Sequence, residues 1–296
     1  LSVVDNKFNM KMMKNVIING ASFSVKADDL ATLKDEIFGD KNGEIYKFLE
    51  KFNAHEPDIF IVDGFATKDN PTISDGTNLV FIKRGVMPND EVLKPMMAAR
   101  NTPELNEALS KATIGVAGLG GLGSNIALSL ARVGVSRLVL ADFDIVEPSN
   151  LNRQQYFVKH IGMKKTEALK SLITDVNPFV EVVTHDIFLD SSNVAEVFAP
   201  CSIVCEAFDN IIGKAMMVNE AGASLSDKKI ISASGMAGYF SSNLIKSIKF
   251  AKNVYLCGDL TNAAKLKQGL MAPRVALCAN HQANLAIRLL MGLEAD

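Results

Sequence analysis

Apolar residues fall into two rhythms along this chain. Between Asn15 and Gly85 the runs Val16-Ile17-Ile18 and Phe23-Ser24-Val25 flank Asn19-Gly20, a pair suited to the positive φ angles of a tight hairpin turn. Ile45, Phe48, Leu49 and Phe52 then recur at helical spacing, and strand-like runs follow at Ile59 to Val62 and Leu79 to Ile82. From Thr113 onward the rhythm changes. Apolar runs at Ile114 to Ala117, Arg137 to Ala141, Val182-Val183, Ile203 to Cys205 and Ile230-Ile231 alternate with helical patterns such as Met163 to Val176. That alternation predicts parallel strands joined by helices. Thr102-Pro103-Glu104 predicts a helix start with Thr102 as N-cap. Residues 236–256 hold short alternating segments, expected as an antiparallel extension, and the last predicted element is a helix from Asn280 to Met291.

These patterns divide the chain. Hairpin, helix and two further strands over residues 14–86 predict a small α+β domain of the β-grasp, ubiquitin-like kind. Residues 87–102, with Pro88 and a charged stretch, read as a linker, and residues 103–296 as an α/β domain with a mostly parallel sheet and helices on both faces. The chain opens with Leu1, and Met10, Met12 and Met13 are all available starts, so residues 1–13 are expected to be an expression-derived or disordered arm.

Composition narrows the function classes. With 48% hydrophobic and 22% charged residues, a chain of 296 residues has material for a sizeable core. A formal charge of -2 with no block of like charge gives no reason to expect nucleic acid or an anionic membrane as partner. No apolar run is long enough to span a membrane and no signal peptide is visible, so a cytoplasmic location is expected. Cys201, Cys205, Cys257 and Cys278 form neither a disulfide framework nor C-x-x-C pairs, so no structural zinc is expected.

The chemistry concentrates after the first parallel strand. Gly118, Gly120 and Gly123 stand at G-x-G-x-x-G spacing between that strand and a helical pattern. This is a Rossmann-like turn, which brings backbone close to a phosphate at a helix N-terminus. Asp142 closes the next strand, where a carboxylate accepts hydrogen bonds from ribose hydroxyls. An NAD-dependent oxidoreductase would satisfy these features too. Beyond Asp142, however, come Arg153, Lys165 and Asp209, which suit a nucleoside triphosphate: Arg153 as a bidentate phosphate clamp, Lys165 as a point charge, Asp209 as a ligand for Mg²⁺. Asp144 either supports that metal or caps the following loop.

The motifs GLGGLGS, DFDIVEPSNLNRQ, GMKK, FDN and GLMAPRVA, in this order from about residue 100 to the C-terminus, resemble the ThiF and MoeB family, bacterial relatives of ubiquitin-activating enzymes. The resemblance implies that the enzyme joins the C-terminal carboxylate of a small β-grasp carrier to AMP and releases pyrophosphate. It implies ATP contact by Gly121, Asp142, Ser149, Asn150, Leu151, Asn152, Arg153, Lys165, Asp209 and Asn210, and a homodimer. Some members later use a thiol in sulfur transfer, which here would fall at Cys257; the spacing of the cysteines otherwise reads as buried or incidental. The N-terminal domain resembles the ThiS and MoaD sulfur carriers, yet Gly85 is followed by Val86 rather than ending in a free Gly-Gly carboxylate, so it cannot itself be activated. Two other readings stay open: an ATP-binding scaffold without adenylation activity, and activation of a carboxylate on tRNA.

Overall fold

The computed structural model describes residues 12–295. Most of the expected arm lies outside the described residues; Met12 and Met13 are exposed. The described chain separates into two compact units, the first ending at Asn106 and the second beginning at Glu107.

The first unit opens with a hairpin. Strands β1 (Lys14–Ile18) and β2 (Ala21–Val25) pair antiparallel, Val16 opposite Phe23, across a turn whose residues Asn19 and Gly20 have φ of 48° and 87°. Those angles match the right-handed twist of the strands. Helix α1 (Leu30–Gly39) was not foreseen, although Leu30, Leu33 and Ile37 lie on one buried face and Asp29 caps it by accepting from the Thr32 N–H at 2.8 Å. Helix α2 (Glu44–Lys51) follows, then β3 (Ile59–Val62), the short β4 (Phe65–Ala66) and β5 (Asn78–Ile82). The sheet order is β2-β1-β5-β3-β4, with β1 and β5 parallel at its centre. One face buries Val16, Ile18, Leu79 and Phe81 against Leu30, Leu33, Ile37 and Leu49 of the two helices.

The other face corrects the expected linker. Residues 90–97 form helix α3 (Asp90–Met97), and Met96 with the following Ala99 packs on Ile61 and Val80. Val92, Met96 and Ala99 are spaced i, i+4, i+7, a helical face that Pro88, Pro95 and the neighbouring charges masked. Val80 alternates with Leu79 and Phe81 along β5, so this strand is covered on both sides.

Helix α4 (Pro103–Ser110) runs across the boundary between the units and is capped as expected: the Leu105 N–H donates to Thr102 Oγ1 at 3.3 Å. The second unit continues with β6 (Thr113–Ala117), α5 (Gly121–Val133), β7 (Arg137–Asp142), α6 (Lys165–Val176), β8 (Glu181–Asp186), α7 (Val194–Val197), β9 (Ile203–Glu206), α8 (Ile211–Ala221), β10 (Lys229–Ala233), β11 (Lys246–Lys249), β12 (Val254–Gly258) and α9 (Ala272–Leu290). The sheet order is β11-β12-β10-β9-β6-β7-β8. All pairs are parallel except β11 with β12, so the expected antiparallel extension reduces to one edge strand while β12 joins the parallel ladder beside β10.

Successive strands walk outward from β6 through β7 to β8, then restart at β9 on the other side of β6. A crevice opens where the direction reverses, between the C-terminal ends of β6 and β9. On one face Ala117, Val139, Val204 and Ile230 meet Val194, Val197, Met217 and Ala221 of α7 and α8. Val116 points the opposite way, toward α5, which packs on α6 and α9.

Helix α9 begins eight residues before the expected Asn280, at Ala272. Pro273 sits in its first turn, where a missing N–H costs nothing. Asn280 is not a cap: its side-chain amide donates to the Ala276 carbonyl one turn back. No helix among the described residues is long and apolar enough to cross a membrane.

Candidate functional site

A cavity of about 540 Å³ occupies the crevice at the switch point. Its wall includes Gly118, Gly120 and Gly121 after β6, Asp142 at the end of β7 with Asp144 after it, and Asp209 and Asn210 after β9. Residues distant in sequence meet there because every parallel strand ends on the same edge.

The glycine turn is shaped by two contacts. Gly118 has φ of 89°, and a Cβ on Gly123 would lie 1.8 Å from the Gly118 carbonyl oxygen. Only glycine lets α5 start this close to β6. Asp142 then fastens the turn: Oδ2 accepts from the Leu119 N–H at 2.5 Å and Oδ1 from the Asp144 N–H at 2.7 Å. Burial pushes the Asp142 carboxyl above its ordinary range, while nearby Lys165 and the two N–H donors pull it down. Tyr156 closes the turn from below by donating to the Leu119 carbonyl at 2.8 Å.

Two predicted cations line the cavity. Lys165, the first residue of α6, is buried and places Nζ 2.7 Å from Asp144 Oδ2. Asp144 therefore holds Lys165 and caps no loop through its side chain. Adjacent Lys164 pairs instead with Asp186, outside the cavity wall. Arg153 donates to the Ser149 carbonyl at 3.3 Å and to Asn152 Oδ1 at 3.0 Å, leaving the rest of its guanidinium available to the cavity it lines.

The other predicted residues divide. Asp209 is exposed at the cavity edge, and Asn210 lines the cavity while its Oδ1 caps α8 by accepting from the Gly213 N–H at 2.7 Å. Ser149, Asn150, Leu151 and Asn152 do not line it; nor does Gly123, which serves helix–strand approach. Asn150 Oδ1 accepts from the Glu147 N–H, and the Asn152 amide donates to the Leu270 carbonyl, so this segment shapes the loop that carries Arg153.

Three features escaped the sequence reading. Glu206, the last residue of β9, is fully buried and receives Lys214 Nζ at 3.0 and 3.1 Å, the Phe208 N–H at 2.6 Å and the Ser232 hydroxyl. A charge closing an otherwise apolar strand was the available signal. Gln154, beside Arg153, lines the cavity and is buried. Finally, Phe143, Phe188, Ile211 and Ile212 form an exposed apolar collar on the same cavity, with the two phenyl rings edge to face at 5.1 Å.

The late motif GLMAPRVA is explained by Arg274. Buried on α9, it pairs with buried Asp259 and donates to the Phe240 and Ser241 carbonyls at 2.6 and 2.8 Å. That tie pins the long return loop beside the cavity. Cys257 is fully buried, and burial pushes its thiol up to about 11 against a downward pull from Ser247, so it offers no thiolate at neutral pH. Cys201, Cys205 and Cys278 are buried as well, with burial raising each thiol.

Comparison with known proteins adds to this geometry. A model of the ThiF family matches residues 94–296, and one described as ThiS-like ubiquitin matches residues 40–85. The chain is 30% identical over 194 residues to the molybdopterin-synthase adenylyltransferase of Escherichia coli (strain K12), covering 63% of this chain and 76% of that protein. It is 32% identical over 145 residues to the sulfur carrier protein adenylyltransferase of Thermus thermophilus, covering 49% and 53%. It is 35% identical over 129 residues to an adenylyltransferase and sulfurtransferase of Aedes aegypti, of which it spans only 29%. Among solved structures, the E. coli tRNA N6-threonylcarbamoyladenosine dehydratase in complex with AMP aligns with a TM-score of 0.61 over 70% of this chain and 98% of its own, at 22% identity. That likeness establishes the fold.

Proposed function

Because this chain belongs to the ThiF family, we propose that it uses ATP to adenylate the C-terminal carboxylate of a small β-grasp sulfur carrier protein, releasing pyrophosphate. The observation that carries the reading is the convergence of the glycine turn, Asp142, Arg153, Lys165 and Asp209 on one cavity at the switch point. The names of the E. coli and Thermus relatives support the reaction class, and the second supports a carrier as acceptor.

The residue types suit the chemistry. A C-terminal carboxylate has a pKa of about 3.5 and arrives ionised, so no general base is needed. One of its oxygens bonds to the α-phosphorus as the bridge to the β-phosphate breaks, and the electron pair leaves with pyrophosphate. The obstacle is repulsion between two anions. Free N–H groups at the start of α5, Arg153 and Lys165 offset it, and the low dielectric of the cavity strengthens each of them.

In this reading Asp142 takes the ribose and Asp209 a divalent cation. Mg²⁺ is commonly held by one or two carboxylates together with substrate phosphates, so a single exposed Asp209 at the cavity edge fits an ion that enters with the triphosphate. Such an ion would neutralise phosphate charge. The apolar collar of Phe143, Phe188, Ile211 and Ile212 offers a protein substrate a surface to rest on. Self-association through the nucleotide-binding units is part of this reading, and sedimentation of the purified chain tests it.

The deciding experiment is ATP–pyrophosphate exchange against each Gly-Gly-ended carrier of the same organism. Exchange that depends on one carrier supports the proposal. Exchange that depends instead on tRNA, or NAD binding without any exchange, would replace it.

A further inference from the structure

The wall of the cavity contains one amide that the protein leaves unanswered. Gln154 is 7% exposed, and its Oε1 has no hydrogen-bond partner among the described residues. Its Nε2 lies 3.7 Å from where a Cβ on Gly120 would stand, which places the carboxamide against the N-cap of α5.

The backbone that carries this side chain is fixed. The Gln154 N–H donates to the Asn150 carbonyl at 2.9 Å. On either side the segment is tied to the first turns of α5: the Asn125 amide donates to the Arg153 carbonyl at 3.3 Å, the Gln155 N–H donates to Ser124 Oγ at 3.2 Å, and the Gln155 amide donates to Asn125 Oδ1 at 2.6 Å. A buried acceptor on a backbone held this firmly, with no donor beside it, is costly in the empty protein and becomes favourable when a ligand brings the donor.

We infer that Gln154 is a ribose-recognition residue, its Oε1 accepting from a hydroxyl of the bound nucleotide. This rests on the nucleotide reading proposed above. Phosphate oxygens carry no proton to give, whereas ribose hydroxyls do. Asp142, the predicted ribose acceptor, already takes the Leu119 and Asp144 N–H groups, one on each oxygen. Leu119 and Gly120 are adjacent, so Asp142 and Gln154 flank the same turn. Two acceptors on that turn would read the sugar together.

The test measures binding of ATP, 2′-deoxy-ATP and 3′-deoxy-ATP by calorimetry, and melting of the nucleotide-free protein, for the wild-type chain, Gln154→Leu and Gln154→Met. Wild type should lose about tenfold in affinity, or about 1.4 kcal/mol, for one deoxy analogue. The variants should lose about the same for ATP and no longer distinguish that analogue. Their nucleotide-free melting temperatures should be equal to or above wild type, because the unpaired acceptor is gone. Additive losses from variant and analogue, or a loss for ATP that is absent for AMP, would overturn the inference, the second by moving the contact to the phosphates. If both variants fail to fold, a polar group the fold itself requires is indicated and the inference falls. Wild type that binds no adenine nucleotide defeats the functional proposal itself, an outcome separable from the others.

Discussion

Lys165 and Arg153 bring positive charge to the cavity by different means. Lys165 is buried and held by Asp144, whereas Arg153 rests on its own loop through Ser149 and Asn152. Replacing either by Ala is predicted to slow pyrophosphate exchange at least tenfold, about 1.4 kcal/mol of barrier. Near wild-type exchange in either variant would show that the wrong cation was assigned. Asp259 carries a stability prediction. Burial alone would raise its pKa, but the N–H groups of Asn262 and Thr261, the Asn262 amide and Arg274 hold it down at about 2, against an ordinary 3.8. A carboxyl depressed in the folded state stabilises the fold above its unfolded pKa, and that contribution disappears as the pH falls from 3.8 through about 2. Arg274→Met is predicted to cost about 3–5 kcal/mol at pH 7, since it strands a buried carboxylate, and clearly less at pH 2. Urea unfolding at the two pH values checks this; equal losses at both would refute it.

At the scale of elements, the start of α5 depends on one missing side chain. A Cβ on Gly123 would overlap the Gly118 carbonyl, a backbone atom that cannot swing aside. Gly123→Ala is therefore predicted to push α5 off β6 and abolish measurable nucleotide binding, with a stability loss of about 3 kcal/mol. Thermal unfolding with and without ATP would decide it. Helix α3 makes the complementary case. Its Met96, with Ala99 beyond it, packs on the second face of the first sheet and its Val92 is buried, so a fragment of residues 12–101 should be more stable than one of residues 12–86. Burial of those side chains corresponds to about 3 kcal/mol. Equal urea midpoints for the two fragments would mean that α3 is only an attachment.

For the whole molecule, much of the architecture was legible because local patterns and tertiary demands agree. The hairpin turn at Asn19-Gly20, the parallel strands and the glycine turn each follow from neighbours in sequence, and all appear in the structure. The start of α9 was misread at Pro273 and the buried charge of Arg274, and residues 87–102 were misread where Pro and exposed charges interrupted the apolar face of α3. What the sequence by itself determined was the run of parallel strands, the crossing of β6 into α5 and the kinds of charge available for a phosphate ligand, since these depend on spacing and residue type. Only the tertiary structure decided which of those residues share a cavity. It brought Lys165 in and left Lys164 paired with Asp186, it set Ser149 to Asn152 behind the wall, and it enclosed Gln154 and Glu206. The reason is physical: a side chain's neighbours at a switch point come from the ends of strands far apart in the chain, and their burial is set by how helices close over that edge, which no local period encodes.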